Sequence, residues 1–122
     1  MVVDIQKTGK SQCPVREVLD QIGDAWTVVV LLELTKGPCR FNALCRSVRG
    51  ISQRMLTVTL RQLERNGLVE RVVFPCSPPR VEYSLTELGA SLQEQVHGLH
   101  LWAVDHQKAI HTARAEYDER GE

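Results

Sequence analysis

At 122 residues with 43% hydrophobic content, the chain suits one compact domain with its own core, and two independent domains do not fit the length. The formal charge is zero, yet Lys36, Arg40, Arg46, Arg49, Arg54, Arg61, Arg65 and Arg71 face only Glu64 and Glu70 in the centre, while acids dominate after Thr86. Binding senses the local field, so this polarisation keeps nucleic acid among the partners that a neutral net charge would otherwise exclude.

Residues 1–12 are polar and read as a flexible arm without the apolar core or small-residue cleavage site of a secretory signal. No later stretch approaches the roughly 18 apolar residues that span a bilayer. The expectation is a soluble, cytoplasmic protein with no membrane partner. Four cysteines, Cys13, Cys39, Cys45 and Cys76, form neither a CxxC pair nor zinc-like spacing, so reduced thiols are the default.

Pro14 suits a first helical turn, where its missing N–H would have no partner anyway. Val15, Val18, Leu19 and Ile22 then recur at helical spacing, which predicts a short helix to about Gly23. Asp24 can cap a second helix. From Trp26 the run WTVVVLLEL is apolar on nearly every side, as in a helix surrounded by other helices or by a partner chain, and Gly37-Pro38 ends it. A third short helix is expected from Arg40 to Val48, with Phe41, Leu44 and Val48 on one side.

The turn RGIS leads into Ser52–Gly67, the stretch the chain is organised around. Ser52 can accept a bond from a free first-turn N–H, and Asn66-Gly67 can end the helix in the left-handed conformation. Leu56, Leu60 and Leu63 fall on one face, predicted to be buried. Arg54, Thr57, Val58, Arg61 and Arg65 fall on the other, with Gln53 beside Arg54. Arg reads guanine or grips phosphate, Gln reads adenine, Thr does either, and the Val58 methyls can meet a thymine methyl. A short helix, a tight turn and a second helix with a basic outward face form the helix-turn-helix pattern.

LVERVVF and RVEYSL read as two strands joined through CSPP, a wing flanked by Arg71 and Arg80, with Val81, Tyr83 and Leu85 expected to alternate with Arg80, Glu82 and Ser84. Thr86 then caps a long helix whose stripe of Leu88, Leu92, Val96, Leu99, Trp102, Ala103, His106 and Ile110 outruns any core so small a chain could supply. Such a stripe implies a partner, and a second copy would present two recognition helices to successive major grooves.

The segments CPVREVLDQIGDAWTVVVLLELTKGPCRFNAL and GISQRMLTVTLRQLERNGLVERVVFPCSPPRVEYSLTELGASL resemble the HxlR-type winged helix-turn-helix transcriptional regulators, relatives of the MarR type. The resemblance runs from Cys13 to Leu92 and rests on Cys13-Pro14, Gly23 with Trp26, Gly37-Pro38 with Phe41, ISQRMLT, Asn66-Gly67-Leu68-Val69 and PPRVEYSLTELG. It implies an α+β winged helix-turn-helix, mostly helical, with a two- or three-stranded β-wing and a long C-terminal dimerisation helix. The implied layout is an arm (1–12), a DNA-binding domain (13–92) and a dimerisation helix with tail (93–122).

By the same resemblance Ser52 to Asn66 is the recognition helix and Phe74 to Arg80 the wing. Expected contacts to double-stranded DNA are Ser52, Gln53, Arg54, Thr57, Val58 and Arg61, with Arg65, Arg71 and Arg80 on phosphate or in the wing groove. Val58 departs from the family, where glutamine is common, which bears on the operator sequence rather than on DNA binding. The tail after Leu92 matches least. In several members the cysteine before the proline, here Cys13, senses oxidants, quinones or aldehydes, which implies a small oxidant or electrophile as effector. A thiol at a helix N-terminus near Arg16 is physically suited to that role. The alternative is a small buried residue.

Other readings are a ligand- or metal-responsive regulator without redox sensing, or a winged helix that binds only protein. His97 and His100 share a helix face, but no acidic or thiolate ligand completes a metal set, so no metal or other cofactor is expected. With no glycine-rich phosphate loop, GxSxG or pocket-forming carboxylate pair, the chain reads as non-enzymatic.

Overall fold

The computed structural model describes residues 13–121, so the predicted arm lies outside the described residues. Proline at the first helical position starts α1 (Pro14–Ile22). The Asp24 side chain then accepts from Thr27 N at 3.0 Å to cap α2 (Ala25–Glu33). A 3-10 turn (Leu34–Lys36) follows, with the Lys36 ammonium 2.7 Å from the Glu33 carboxylate. Gly37 turns the chain at φ 121°, a conformation that a side chain would strain.

The chain continues through β1 (Cys39–Arg40), α3 (Phe41–Ser47), α4 (Gln53–Arg65), β2 (Val69–Phe74), β3 (Arg80–Leu85) and α5 (Glu87–Glu119). The strands form one antiparallel sheet in the order β1-β3-β2, with Cys39 opposite Tyr83 and Val69 opposite Leu85. The fold is an α+β winged helix-turn-helix with a three-stranded sheet.

Two details differ from the sequence reading. The residues Cys39 and Arg40, expected to lie in or beside the third helix, instead form β1, because backbone pairing to Tyr83 and Glu82 outweighs any local preference in a two-residue segment. The expected alternation along β3 is absent, and all six of its residues are half-buried. As the middle strand it has neighbours on both edges, which shield outward side chains as well as inward ones.

The core comprises Ile22, Val30, Leu31, Leu34, Leu44, Val48, Leu56, Leu60, Leu63, Leu68 and Val69, gathered from α1 to β2. α2 packs against both α4 and α5, as its nearly all-round apolar surface requires. Thr27 and Thr59 are also buried, although both are polar.

The start of α5 is pinned to the turn after α4. Thr86 Oγ1 accepts from Gly89 N at 3.0 Å and donates to Gly67 O at 2.6 Å, while Thr86 N donates to Leu68 O at 3.1 Å. Gly89 is buried so tightly that a Cβ built there would collide with the Leu68 carbonyl. α5 then continues without a break through Leu92 to Glu119, about 50 Å at 1.5 Å per residue. Among the described residues no helix is long and apolar enough to cross a membrane.

Gly89→Ala is expected to cost about 3 kcal/mol, at the upper end of ordinary overpacking, because backbone rather than a movable side chain meets the new methyl. Urea denaturation measures this, and an unchanged midpoint would mean that α5 is not held against the α4–β2 turn.

Candidate nucleic-acid interface

α3 closes with Val48 N donating to Leu44 O at 2.9 Å, and Gly50 takes φ 86° in the turn that follows. Ser52 lies in extended conformation and its Oγ accepts from Met55 N at 3.0 Å, so the expected N-cap of α4 is present. At the other end Asn66 closes the helix and Gly67 adopts φ 76°.

Between these ends Leu56, Leu60 and Leu63 are 0%, 2% and 0% exposed. That burial leaves Gln53, Arg54, Val58 and Arg61 exposed, with Val58 51% accessible. An exposed β-branched side chain among cations gives this face an apolar point of contact between hydrogen-bonding groups.

The sequence-predicted contacts do not form a single set. Ser52, Gln53, Arg54, Thr57, Val58 and Arg61 belong to the cap and the first turns of α4. The Thr57 hydroxyl donates to Gln53 O at 2.9 Å, so its proton is engaged by the helix and its oxygen is left to accept from a donor such as a base amino group.

Arg71 lies on β2 opposite Tyr83 rather than at the hairpin tip, and shares a cavity of about 350 Å³ with Thr57, Arg61, Glu64 and Tyr83. Glu64 and Tyr83 were not among the predicted site residues. Glu64 follows Arg61 by three residues on α4 and is its neighbour by helix spacing, whereas only the sheet register and the packing of α4 on the sheet bring Tyr83 to it. Arg65 points to α1, where its guanidinium lies 3.4 Å from Gln21 Oε1, which also accepts from Gln62 Nε2 at 2.8 Å. Arg80, at the loop end of β3, has Nε 3.2 Å from Glu82 Oε2 and its guanidinium 4.6 Å over the Phe74 ring.

A helix-turn-helix pair, a hairpin wing and a long terminal helix are thus assembled in one order. The family model described as HxlR-like helix-turn-helix matches residues 21–111. The chain belongs to this family. It is a transcriptional regulator of the helix-turn-helix type, a class that acts by DNA binding and is not enzymatic.

The uncharacterised HTH-type transcriptional regulator YtfH of Escherichia coli K12 is 44% identical over 91 residues, which is 75% of this chain and 72% of YtfH. Among solved structures, the redox regulator HypR in its reduced form matches with TM-score 0.78 and 39% identity, over 82% of this chain and 99% of HypR. Diamide-treated YodB of Bacillus subtilis matches with TM-score 0.67 and 36% identity, over 77% of this chain and 94% of YodB.

This HxlR-family chain carries four thiols in different settings. Cys13 is buried at the N-cap of α1, with its carbonyl accepting from Glu17 N at 3.1 Å. Cys39 and Cys45 are half-buried, and Cys76 is exposed in the wing loop. Burial pushes the Cys39 thiol above its ordinary range; the Glu33 carboxylate adds to the shift, Lys36 opposes it and Glu82 adds again. Less Cys39 is therefore thiolate at neutral pH, and thiolate is the reacting form.

Iodoacetamide is expected to label Cys76 before Cys39, with Cys39 labelling accelerating only as pH rises past the usual thiol range. Time-resolved peptide mass spectrometry reads the order, and equal rates at neutral pH would contradict it.

Proposed function

We propose that this regulator acts as a homodimer on an inverted-repeat operator in double-stranded DNA, with the two α4 helices in successive major grooves, and that oxidation or electrophile modification of Cys13 changes its grip. The observation that carries the reading is α4 itself, capped at both ends, with three leucines buried and Gln53, Arg54, Val58 and Arg61 outward. Gln53, Arg54, Thr57 and Arg61 read bases under this proposal, while Arg71 and Arg80 hold phosphate and Arg65 reaches phosphate from the α1 side.

A dimer is supported by apolar surface that one chain does not cover. Leu99 and Val104 on α5 are 62% and 61% exposed, and Trp102 is half-exposed with its ring stacked 4.5 Å from His106. Val15, Val18 and Leu19 on α1 are exposed as well, and the groove between α1 and α5 holds about 550 Å³ lined by Val18, Ile22, Leu68, Leu88 and Leu92. A two-fold pair closing these surfaces would set the α4 helices roughly 34–36 Å apart, as successive major grooves require.

The thiol switch is supported by position. Cys13 begins α1, and Gln21 near the end of α1 bonds Gln62 and Arg65 of α4. A displacement of α1 therefore reaches the recognition helix directly. Diamide would take two electrons and two protons from Cys13 and a second thiol, leaving a disulfide. The likeness to the redox regulator HypR and to diamide-treated YodB supports the same chemistry here.

In a gel shift on the promoter DNA beside its own gene, the reduced protein is expected to bind specifically, release on diamide and recover with dithiothreitol. Cys13→Ser should hold DNA through the diamide step, and release matching the wild type would remove Cys13 from the switch. Arg61→Ala is expected to cost about 1–3 kcal/mol at one operator position. A loss shared equally by all sequences would make Arg61 a phosphate contact instead.

A further inference from the structure

Residues 34–63 contain Lys36, Arg40, Arg46, Arg49, Arg54 and Arg61 and no carboxylate. Arg54 and Arg61 belong to α4, but Arg40 and Arg46 do not. They line a separate groove of about 450 Å³ between α3 and the wing, with Asn42 on the same wall and Pro78, Pro79 and Arg80 across from it. The charge there is not balanced from within the fold. Glu82, opposite Arg40 in the β1–β3 register, is paired with Arg80. Among the described residues neither the Arg40 nor the Arg46 guanidinium has an ion-pair or hydrogen-bond partner, and both residues are exposed.

Arg40 and Arg46 add two unpaired guanidinium groups beside the Glu82-paired Arg80, an excess of positive charge that favours an anion between them. Arginine meets phosphate through two parallel N–H donors, and the Asn42 amide adds a neutral donor. The prolines opposite offer a wall without N–H groups and with restricted backbone, which shapes the groove without competing for the anion. The two walls belong to α3 and the wing, the elements that flank α4 in the chain, and the first helix of a helix-turn-helix pair crosses the DNA backbone.

We propose that this groove receives the phosphodiester backbone of the duplex outside the bases that α4 reads, with Arg40 and Arg46 as its phosphate contacts. The proposal rests on the DNA-reading function above and divides the labour of binding: α4 supplies preference, and the α3–wing groove supplies affinity common to all sequences. Phosphate contacts fix register and carry no sequence information directly.

The test is fluorescence anisotropy of the full-length protein on an operator duplex from unbiased selection and on a random duplex, across a series of KCl concentrations. Arg40→Ala/Arg46→Ala is expected to lower affinity for both duplexes by the same factor and to shrink the slope of log K against log salt by about 2, as loss of two phosphate contacts requires. Arg40→Lys/Arg46→Lys keeps the charge and should retain most of the slope, which separates lost contacts from lost folding. Lys108→Ala/Arg114→Ala on α5 should leave the slope unchanged.

An unchanged slope in the Ala double variant overturns the proposal, as does a loss confined to one operator position. So does binding of inorganic phosphate by the wild type that vanishes in the variant while the DNA slope stays the same, because the groove would then hold a free anion. If no duplex is preferred but the slope still shrinks by about 2, the groove stands and the sequence-reading function falls.

Discussion

Burial of one face of α4 is the interaction on which the rest depends. Leu56, Leu60 and Leu63 enter the cluster that holds Val30, Leu31 and Leu44, and each buried leucine contributes about 2 kcal/mol relative to exposure. A helix has two sides, so driving three leucines inward leaves Arg54, Val58 and Arg61 no place but solvent. The outward basic face, proposed above to meet DNA, is the complement of the core, and no separate force is needed to present it. α2 makes this possible because it is apolar nearly all round and packs on α4 and α5 together.

The second constraint is the joint after α4. Gly67 turns the chain, Thr86 bonds back to Gly67 and Leu68, and Gly89 lets α5 pass the Leu68 carbonyl at backbone contact. Because each is a backbone or cap interaction, little side-chain freedom absorbs a displacement. α1 reaches α4 independently through Gln21. α4 is therefore held from both elements that carry exposed apolar surface, and any rearrangement of that surface reaches its outward face.

Electrostatics follow the same partition. The basic residues of α3, α4 and β2 are mostly exposed, whereas Glu33 and Glu82 are paired with two other cations, Lys36 and Arg80. Surface pairs of this kind contribute little to stability. Their effect is to decide which cations remain open to a polyanion: Arg80 is partly engaged, and Arg40 and Arg46 are not.

Local chemistry determined much of this from sequence alone. The caps at Asp24, Ser52 and Thr86, the stop at Asn66-Gly67 and the buried leucines of α4 each depend on residues within a turn or two, so spacing was enough to read them. The HxlR resemblance, carried by motifs from Cys13 to Leu92, was readable for the same reason. What tertiary structure decided were the pairings between distant segments. Cys39-Arg40 became a strand only by meeting β3, Arg71 came beside Arg61 through the sheet's packing on α4, and Arg65 turned to Gln21 of α1. Arg40 and Arg46 met the wing across more than thirty residues of chain. Periodicity describes which way a side chain leaves its own helix or strand, and carries no record of which other element will stand opposite.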